Sequence, residues 1–331
     1  MKIKETIGID VSKATLDACI HSSQQSATFE NSKKGFSLLV KWAYKGSPHP
    51  KADILFALEH TGLYSEKLSE HLSEEDIPYT VVPGLEIKRS LGIARGKDDR
   101  VDASKIALYA YRLRDEIKLS ATPMKEVKAL KKLLSLRERL VRQRAGYKTS
   151  AKEQKRVLEH YEAKLLLKVQ YKMVKELSKQ IDIVESEMQS IIRSNTELAN
   201  MFDLLLTVRC IGKQSALFLI VCTEGFSKFE NARQFAAYCG VAPFPNQSGT
   251  SLRGRSKVSP LANKKMKSLL DMCAKSSIRY NMEIREYYLK RVAQGKNKMS
   301  TINIIRNKLL YRVFAVVRRG TPYVDLYRHA S

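Results

Sequence analysis

Closely spaced cysteines are missing from this sequence. Its five cysteines lie far apart, no CxxC pair occurs, and the six histidines do not cluster with them. Structural zinc sites need four such ligands at short spacing, so a zinc-binding fold is not expected. An odd number of scattered cysteines is typical of reduced thiols inside the cell. The five positions are Cys19, Cys210, Cys222, Cys239 and Cys273.

Long hydrophobic runs are also missing. No apolar stretch approaches the roughly 20 residues that a bilayer-spanning helix needs. The longest run in the C-terminal part, ALFLIVC, has the length of a core segment. The first residues, MKIKETIGID, lack the apolar centre of a signal peptide. We therefore expect a cytoplasmic protein with no membrane partner.

Acidic residues are scarce in the C-terminal two thirds of the chain. The formal net charge is +25, but residues 1–123 carry only +1, whereas residues 124–200 carry +8 and residues 201–331 carry +16. A cationic surface of this size attracts a polyanion, and nucleic acid is the commonest one. We expect the second and third segments to bind nucleic acid mainly through its phosphates.

Helix breakers are almost absent from the middle of the chain. No proline occurs between Pro123 and Pro243, and Gly146 is the single glycine of residues 124–200. This composition predicts two long helices with a break between about 146 and 165. The second helix carries apolar residues spaced by three or four, as in the seam of a coiled coil. A helical hairpin, an intermolecular coiled coil and a plain helix pair inside one domain all fit this pattern. The seam residues are Val174, Leu177, Ile181, Val184, Met188 and Ile191.

The first 122 residues interleave strand and helix patterns. TIGIDVSKATLDACI predicts an antiparallel hairpin with its turn at Ser12 and Lys13, and ADILFALE predicts a buried strand that ends at Glu59. IPYTVVPG predicts another short strand, while TGLYSEKLSEHLSEE and VDASKIALYAYRL have helical spacing. Mixed strands and helices in this order predict an α/β domain.

Residues 201–331 are predicted to be mostly helical. LLLTVRCIGKQSALFLIVC reads as helix, turn and helix, and NARQFAAYCGVAP as a helix capped by Asn231 that stops at Gly240. Two basic amphipathic helices are predicted in LANKKMKSLLDMCAKSSIRY and TINIIRNKLLYRVFAVVRR. Between these elements, FPNQSGTSLRGRSKVSP is polar and has no apolar period. We expect it to be a loop that is either unstructured or functional.

Four carboxylates are positioned to converge at one edge of the predicted sheet. Asp10 and Glu59 end two apolar strands, and Asp99 and Asp102 share a face at the start of a later helix. Buried acids are costly unless they are paired, hydrogen-bonded or bound to a metal. Each acid also has a structural interpretation: Asp10 as a turn cap, Glu59 as a partner of a lysine, and the helical acids as residues favoured by the helix dipole. Together they predict a site for two divalent ions, a type that favours in-line phosphoryl transfer.

The motifs GIDVSK, ALEHTG and KDDRVDA, followed by ARQFAAYCGVAP and QSGTSLRGRSKVS, resemble the insertion sequence 110 family of transposases nearly end to end. These are DEDD recombinases of bacteria that are guided by a bridge RNA. The resemblance implies a RuvC/RNase H-like domain in residues 1–122, a helical coiled-coil arm in residues 123–200 and a mostly α C-terminal transposase domain in residues 201–331. It also implies association with the nucleoid during the reaction.

The resemblance further implies which residues form the site. Asp10, Glu59, Asp99 and Asp102 match the four metal-binding acids, with magnesium as the expected ion and manganese as the alternative. Asp98 stands where the family usually has threonine, so it is left outside the site.

Ser248 matches the family's serine nucleophile, which forms a 5′-phosphoserine link to DNA. Gly249 lets the backbone approach DNA, and Arg253 and Arg255 offer forks for phosphate oxygens; with Lys257 they are the expected nucleic-acid contacts. No acid or histidine adjoins Ser248 in the sequence, so the acids have to come from the other domain. The residues alone equally fit a serine that only hydrogen-bonds within a DNA-binding loop.

The expected partners are double-stranded DNA as donor and target, a guide RNA and further copies of the chain. The family implies a dimer or a tetramer in which the acids of one protomer and Ser248 of another form one active site. One departure concerns the turn Arg209-Cys210-Ile211-Gly212, which is usually Pro-Gly-Ile-Gly in the family. This departure weakens the expectation that the turn contacts phosphate as a helix-hairpin-helix motif does.

The sequence leaves three alternatives to a recombinase. The first is a magnesium-dependent nuclease of the Holliday-junction type, in which water attacks and Ser248 is a bystander. The second is a non-catalytic scaffold that binds RNA or DNA. The third is an actin-like sugar kinase, which also begins with a GID hairpin but needs later glycine-rich phosphate loops that this chain lacks.

Overall fold

The computed structural model describes residues 2–90, 99–248 and 252–325. The chain divides into two compact units, Met1–Thr122 and Pro123–Ser331. The first is built on a mixed sheet, and the second is mostly helical. Within the described residues, no helix combines the length and the apolar character that crossing a membrane requires.

A five-stranded mixed sheet forms the centre of the first unit. Its elements are β1 (Glu5–Val11), β2 (Thr15–Ile20), β3 (Ser26–Glu30), α1 (Lys33–Gly46), β4 (Ile54–Glu59), α2 (Leu63–Glu74), β5 (Tyr79–Val82), α3 (Gly84–Ser90) and α4 (Asp99–Arg112). The strand order is β3-β2-β1-β4-β5. The first three strands are antiparallel, whereas β4 and β5 run parallel to β1. This sheet confirms the α/β prediction and the predicted hairpin.

The two faces of this sheet are covered by different helices. Ile7, Ile9 and Val11 point to one face, where they share a core with side chains of α1 and α2. Alternate residues of β1 point to the opposite face, which is covered by α4. Ala57 of β4 and Ile106 of α4 belong to the core on that second face. Asp10 and Glu59 therefore lie on the face that α4 covers.

Residues 26–46 contain two elements that the sequence patterns did not predict. Strand β3 is an edge strand whose residues alternate between exposed and half-buried. Helix α1 begins where Ser32 accepts a hydrogen bond from the backbone N–H of Gly35 at 3.2 Å. Strand β3 was missed because an edge strand has no fully buried face and so lacks a strong apolar period. Helix α1 has a buried face at Phe36, Leu39 and Ala43, a spacing that the sequence does show.

Two long helices begin the second unit. They are α5 (Lys125–Val157) and α6 (His160–Ser194). Arg137 bonds to Glu185, and Arg144 bonds to Ser178, so residues further along α5 meet residues earlier in α6. The pair is therefore an antiparallel hairpin about 50 Å long, at 1.5 Å per residue. Its break, at residues 158–159, lies inside the predicted interval.

The apolar seam of α6 packs inside its own chain. Leu177, Ile181, Val184 and Met188 are buried, and the hydrogen bonds between the helices place α5 beside the same stretch of α6. The helical hairpin is thus the alternative that formed. The seam is therefore covered by α5 of the same chain.

The C-terminal helices confirm most of the predicted pattern. They are α7 (Thr196–Thr207), α8 (Lys213–Cys222), α9 (Ala232–Tyr238), α10 (Lys264–Tyr280), α11 (Met282–Ala293) and α12 (Lys298–Arg319). Asn231 caps α9 as predicted, accepting a hydrogen bond from the N–H of Gln234 at 3.0 Å. Gly240 has the left-handed backbone that ends such a helix, with φ of +63°.

The base of the hairpin and the C-terminal helices share one hydrophobic core. Leu130 and Leu134 of α5 and Met188 of α6 are buried together with Phe202, Phe235 and many other apolar side chains of the C-terminal helices. Both ends of the hairpin therefore return to the same core. A boundary between arm and C-terminal domain at residue 200 stays a prediction.

Candidate active site

Asp10 and Glu59 sit side by side at one edge of the sheet. Strands β1 and β4 are parallel, and Ile9 pairs with Leu58 at the end of their ladder. Each acid is the next residue along its strand. Because neighbouring strands lie about 4.8 Å apart, the two carboxylates leave the sheet as neighbours on one face. The predicted convergence of these two acids is thus present in the fold.

Helix α4 crosses β1 at Gly8 without any intervening side chain. A Cβ added to Gly8 would lie 2.2 Å from both the carbonyl oxygen of Ala103 and the backbone nitrogen of Ala107. Two residues before Gly8 on β1, Thr6 Oγ1 donates a hydrogen bond to the Ala107 carbonyl at 2.9 Å. Helix α4 therefore runs opposite to β1, and its N-terminal turn lies toward Asp10.

The N-terminal turn of α4 carries the other two predicted acids. Position 99 is one turn before Ala103, which puts it on the face of the helix that meets the sheet. The side chain of Asp99 and the whole of Asp98 lie outside the described residues. Asp102 is one-third exposed, and its Oδ1 lies 2.7 Å from Lys105 Nζ. One carboxylate oxygen of Asp102 is thus already paired.

Space around Glu59 is provided by a glycine. A Cβ on Gly84 would lie 2.0 Å from Glu59 Oε1, so the carboxylate occupies room that only glycine leaves open. Two residues further on, Thr61 Oγ1 is buried and has no hydrogen-bond partner among the described residues. An oxygen-rich edge with an unpaired buried hydroxyl fits a hard divalent cation such as magnesium or manganese.

The described side chains do not by themselves complete a metal centre. Among residues 2–90, 99–248 and 252–325, no three His, Cys, Asp or Glu side chains form a group that could hold a metal ion. The structure brings Asp10 and Glu59 together and points the first turn of α4 toward Asp10. A site made of all four acids stays a prediction.

Sequence reasoning missed one acid beside the candidate site. Asp17 on β2 lies directly opposite Asp10 in the antiparallel ladder, which places both on the same face. Its Oδ1 accepts a hydrogen bond from Thr28 Oγ1 at 2.6 Å. The alternation of TLDACI could have revealed this position once the hairpin register was known. Its bond to Thr28 ties Asp17 to the sheet.

The polar segment that carries Ser248 forms a β-ribbon rather than a loop. Strand β6 (Pro243–Ser248) pairs with β7 (Leu252–Val258), and Ser248 pairs with Leu252 at the tip. The prediction of an irregular loop is wrong because both strands of an isolated two-stranded ribbon face solvent and need no apolar period.

The predicted nucleic-acid contacts follow one strand of this ribbon. A bulge in the ribbon breaks the alternation between them: Lys257 pairs with Phe244, whereas Arg253 pairs with Gln247, which puts positions 253 and 257 on opposite faces. Lys257 is exposed. The side chains of Ser248, Arg253 and Arg255, and all of Gly249, lie outside the described residues. Their assigned roles stay predictions.

The root of the ribbon is held by amide side chains that sequence reasoning missed. Asn303 and Asn307, one turn apart on α12, donate from Nδ2 to the same carbonyl of Val241, at 2.7 and 2.8 Å. On the other side, the N–H of Asn263 donates to the carbonyl of Tyr238 at 2.9 Å. These bonds tie the start of β6 and the residues after β7 to helices of the core.

The turn between α7 and α8 contains a non-glycine residue with a left-handed backbone. Cys210 has φ of +70°, in the left-handed region that glycine adopts without strain. The family usually has glycine at this position. Gly212, by contrast, is extended, with φ of −91°. The turn therefore needs a left-handed residue at position 210, and cysteine adopts this backbone less readily than glycine does.

Comparisons with known proteins match both units. Residues 7–160 match the family model DEDD_Tnp_IS110, described as a transposase, and residues 202–289 match that of the transposase IS116/IS110/IS902 family. The chain is 30% identical to the pilin gene-inverting proteins of Moraxella bovis and Moraxella lacunata, over 97% of this chain and 98% of each relative. It is 27% identical to the insertion element IS110 uncharacterized 43.6 kDa protein of Streptomyces coelicolor, over 34% of this chain and 28% of that protein.

Proposed function

Because the chain belongs to the IS110 family of transposases and is a DNA recombinase, we propose that it cuts and rejoins strands with an acid site and a serine nucleophile. The family match and the mixed sheet agree with a RuvC-like α/β fold for the first unit. The two Moraxella relatives are named for inverting a gene. Inverting a segment of DNA requires strands to be both cut and rejoined, which supports recombination over simple cleavage.

The observation that carries the proposal is the edge where Asp10 and Glu59 meet under α4. We assign Asp10, Glu59, Asp99 and Asp102 as the residues that would hold divalent magnesium or manganese. A bound ion of this kind neutralises phosphate charge and lowers the pKa of an oxygen nucleophile. Glu59 is set in place by the contact with Gly84, and the Gly8 crossing keeps the first turn of α4 close to the sheet.

Ser248 is proposed as the nucleophile that attacks the phosphorus of the DNA backbone. Its Oγ loses a proton and forms a bond to the phosphorus of a DNA phosphodiester, and the bond from phosphorus to the 3′ oxygen breaks. The 3′ oxygen leaves with a proton, and the 5′ phosphate stays on the serine. A 3′ hydroxyl from another strand then attacks this phosphoserine and releases Ser248. Because one phosphate ester replaces another in each step, strand exchange needs no external energy source.

Guidance by an RNA is the second part of the proposal. The second unit holds 41 Lys/Arg against 17 Asp/Glu, a charge that suits more nucleic acid than one duplex site. Base pairing by a guide RNA would supply sequence recognition, while the protein contacts backbones.

A shared site in a dimer or tetramer is the third part. The family resemblance supports it, whereas the arm adds no support, because α5 and α6 both return to the core of the second unit. Coiled-coil packing of the hairpin is likewise proposed from the seam spacing alone.

The acid site is tested by Asp10→Asn in a recombination assay with a plasmid that carries the element ends. We expect loss of activity by at least about a hundredfold, because the charge that would hold the cation is removed. Asp53→Asn is the control: it removes the same group from the start of β4, at the opposite edge of the sheet. Chelation by EDTA should abolish activity, and added magnesium or manganese should restore it. Full activity of Asp10→Asn would rule out the assigned site.

The serine is tested by trapping the protein on a nicked substrate that cannot be rejoined. We expect a covalent protein–DNA adduct whose linked peptide contains Ser248, and no adduct with Ser248→Ala. If strands are cut without any adduct, and Ser248→Ala cuts equally well, the chain acts as a nuclease in which water attacks. Thr250→Ala is the matched control, because it removes a neighbouring hydroxyl of the same segment.

A further inference from the structure

The distal half of the helical hairpin concentrates positive charge. Residues 142–180 hold 11 Lys/Arg against 4 Asp/Glu, a net of +7. The remaining residues of α5 and α6 hold 7 against 5, a net of +2. This distal half is far along the chain from the ribbon and belongs to neither the acid site nor the Ser248 segment. Positive charge concentrated in this way attracts a polyanion.

An open groove of about 460 Å³ lies between the two helices in this region. Ala151, which is buried, and Val174, which is half-buried, form its floor. Four cations line it from α5: Lys148, Lys152, Lys155 and Arg156. The described side chains that line the groove include no acidic residue. The volume falls in the range of about 300–1,000 Å³ that small ligands and ligand fragments occupy.

The cations of the groove are available to a ligand. Lys148, Lys152 and Lys155 are exposed, and none of them has an ion-pair partner in the described part of the chain. Among the described side chains, Arg156 forms an ion pair with Glu153, at 3.9 Å. The positions follow one another at roughly a turn of helix, so they form a row about 10 Å long at 1.5 Å per residue. A row of unpaired cations matches a chain of phosphates.

Tyr171 supplies the opposite wall from α6. Its side chain is 52% exposed, although burying an aromatic ring contributes favourable free energy. Next to it, Gln170 donates to both Ser150 Oγ and Gln154 Oε1, at 3.2 and 2.8 Å, and so ties α6 to α5 beside the groove. An exposed aromatic face on a braced helix, across from cations, is the arrangement in which an unpaired base stacks while its phosphates are neutralised.

We propose that this groove, lined by Lys148, Lys152, Lys155, Arg156 and Tyr171, binds a single-stranded segment of nucleic acid. One unpaired base stacks on Tyr171, and the adjoining phosphates lie along the cations of α5. A duplex would use the cations alone, because its bases are already stacked on each other. The site does not depend on Ser248 or on the acids, so its test is separate from that of the reaction.

Binding is measured by fluorescence anisotropy with the full-length protein and three labelled probes of about 20 nucleotides: oligothymidylate, oligouridylate and a mixed-sequence duplex. Tyr171→Ala should weaken single-strand binding about tenfold and leave duplex binding nearly unchanged, since stacking on one base is lost. Tyr171→Phe should bind as the wild type does, because the ring is kept. The tighter of the two single strands identifies the strand as DNA or RNA.

The cations are tested by replacing Lys148, Lys152 and Lys155 with glutamine. The log–log slope of single-strand affinity against salt should become less steep by about 2, at about 0.7 per phosphate. The matched control replaces Lys131, Lys132 and Arg139 with glutamine, which removes the same charge from exposed positions of α5 outside the groove. If both triple variants lose affinity equally, the groove is not a site and the proposal is wrong.

A cross-link identifies the peptide that contacts the strand, so it reports on the groove even when other surfaces of the protein also bind nucleic acid. A single strand that contains 5-iodouracil, irradiated on the protein, should attach to the peptide that holds Tyr171. The proposal is overturned if the saturated complex gives no such peptide. It is equally overturned if Tyr171→Ala weakens duplex and single strand alike, because the groove would then hold duplex phosphates.

Discussion

The two compact units differ in charge, in architecture and in what their polar residues do. The first, residues 1–122, holds 18 Lys/Arg against 17 Asp/Glu and is built on a sheet. The second holds 41 against 17 and is mostly helical. Acids grouped at a sheet edge suit a cation, while cations spread along helices suit a long polyanion. The excess of positive charge is thus confined to the second unit, whereas the first unit is nearly neutral.

The two units can also be observed separately in solution. The single tryptophan, Trp42, lies in α1 of the first unit and packs near Phe29 with the ring centroids 5.6 Å apart. Most helical residues belong to the second unit. Tryptophan fluorescence therefore reports unfolding of the first unit, and far-UV circular dichroism mainly reports the second.

The largest expected effect tests whether the two units work across chains. Asp99→Asn and Ser248→Ala should each be inactive alone, and a mixture of the two should recover activity. In a mixed dimer with shared sites, one site has both intact halves, so about a quarter of all sites should work after random assembly. Recombination of the plasmid substrate measures this. A mixture that stays inactive, although a tagged mutant captures the other, would mean that the site is built within one chain.

The second prediction breaks an ion pair in the helical unit. Arg306 on α12 is only 6% exposed and bonds to Asp271 on α10, which also pairs with Lys275 at 2.8 Å. Asp271→Asn should cost about 3 kcal/mol, because a buried guanidinium loses its counter-charge. The dichroism transition should shift while the Trp42 transition stays. Asp203→Asn, which breaks the exposed pair with Arg193, is the control and should shift neither.

The same pair predicts how acid affects the helical unit. Burial raises the pKa of the Asp271 carboxyl, but hydrogen bonds and charge from Lys275 and Arg306 outweigh it, so the pKa lies below its ordinary value. A carboxyl with a lowered folded pKa stabilises the fold above its unfolded pKa and loses that contribution as pH falls. The stability of the second unit should therefore drop below about pH 4, and drop less steeply in Asp271→Asn. Equal slopes in both proteins would contradict this.

The third prediction disturbs the sheet unit instead. Gly8→Ala would place a methyl group 2.2 Å from the backbone of α4, which has to move away. We expect a loss of about 1–3 kcal/mol in the Trp42 transition and reduced recombination, because the first turn of α4 shifts from Asp10. Gly146→Ala is the matched control. It lies in α5 with nothing within 4 Å, so it should stabilise the second unit slightly. If Gly8→Ala changes neither the Trp42 transition nor recombination, the backbone of α4 is not as close to Gly8 as the 2.2 Å distance implies.

The smallest expected effect concerns the strained turn of the second unit. Cys210→Gly should stabilise it by about 0.5–1 kcal/mol, since glycine adopts φ of +70° without the clash of a Cβ. Cys210→Ala removes the thiol but keeps the strain, so it should give no gain. A gain of equal size in both variants would assign the effect to the thiol.

Much of the candidate site could be predicted because its signals are local. An acid that ends an apolar strand is visible in the chain at Asp10 and at Glu59, and helical spacing relates Asp99 to Asp102. The ribbon that carries Ser248 was not predicted as strands, because a solvent-exposed pair leaves no apolar period. Asn303 and Asn307 were missed because an amide on a helix gives no sign of which distant carbonyl it meets.

By itself the sequence determined most helices, the strands with a buried face and the placement of charge, and it singled out the candidate acids, since these depend on residues close together in the chain. Tertiary structure alone decided which faces meet. It paired β1 with β4 so that Asp10 adjoins Glu59, placed α4 on Gly8 and covered the seam of α6 with α5. It also opened the groove at Tyr171. Periodicity shows that a face will be buried, but many partners of similar apolar character could bury it. Only the packing of the whole chain selects one.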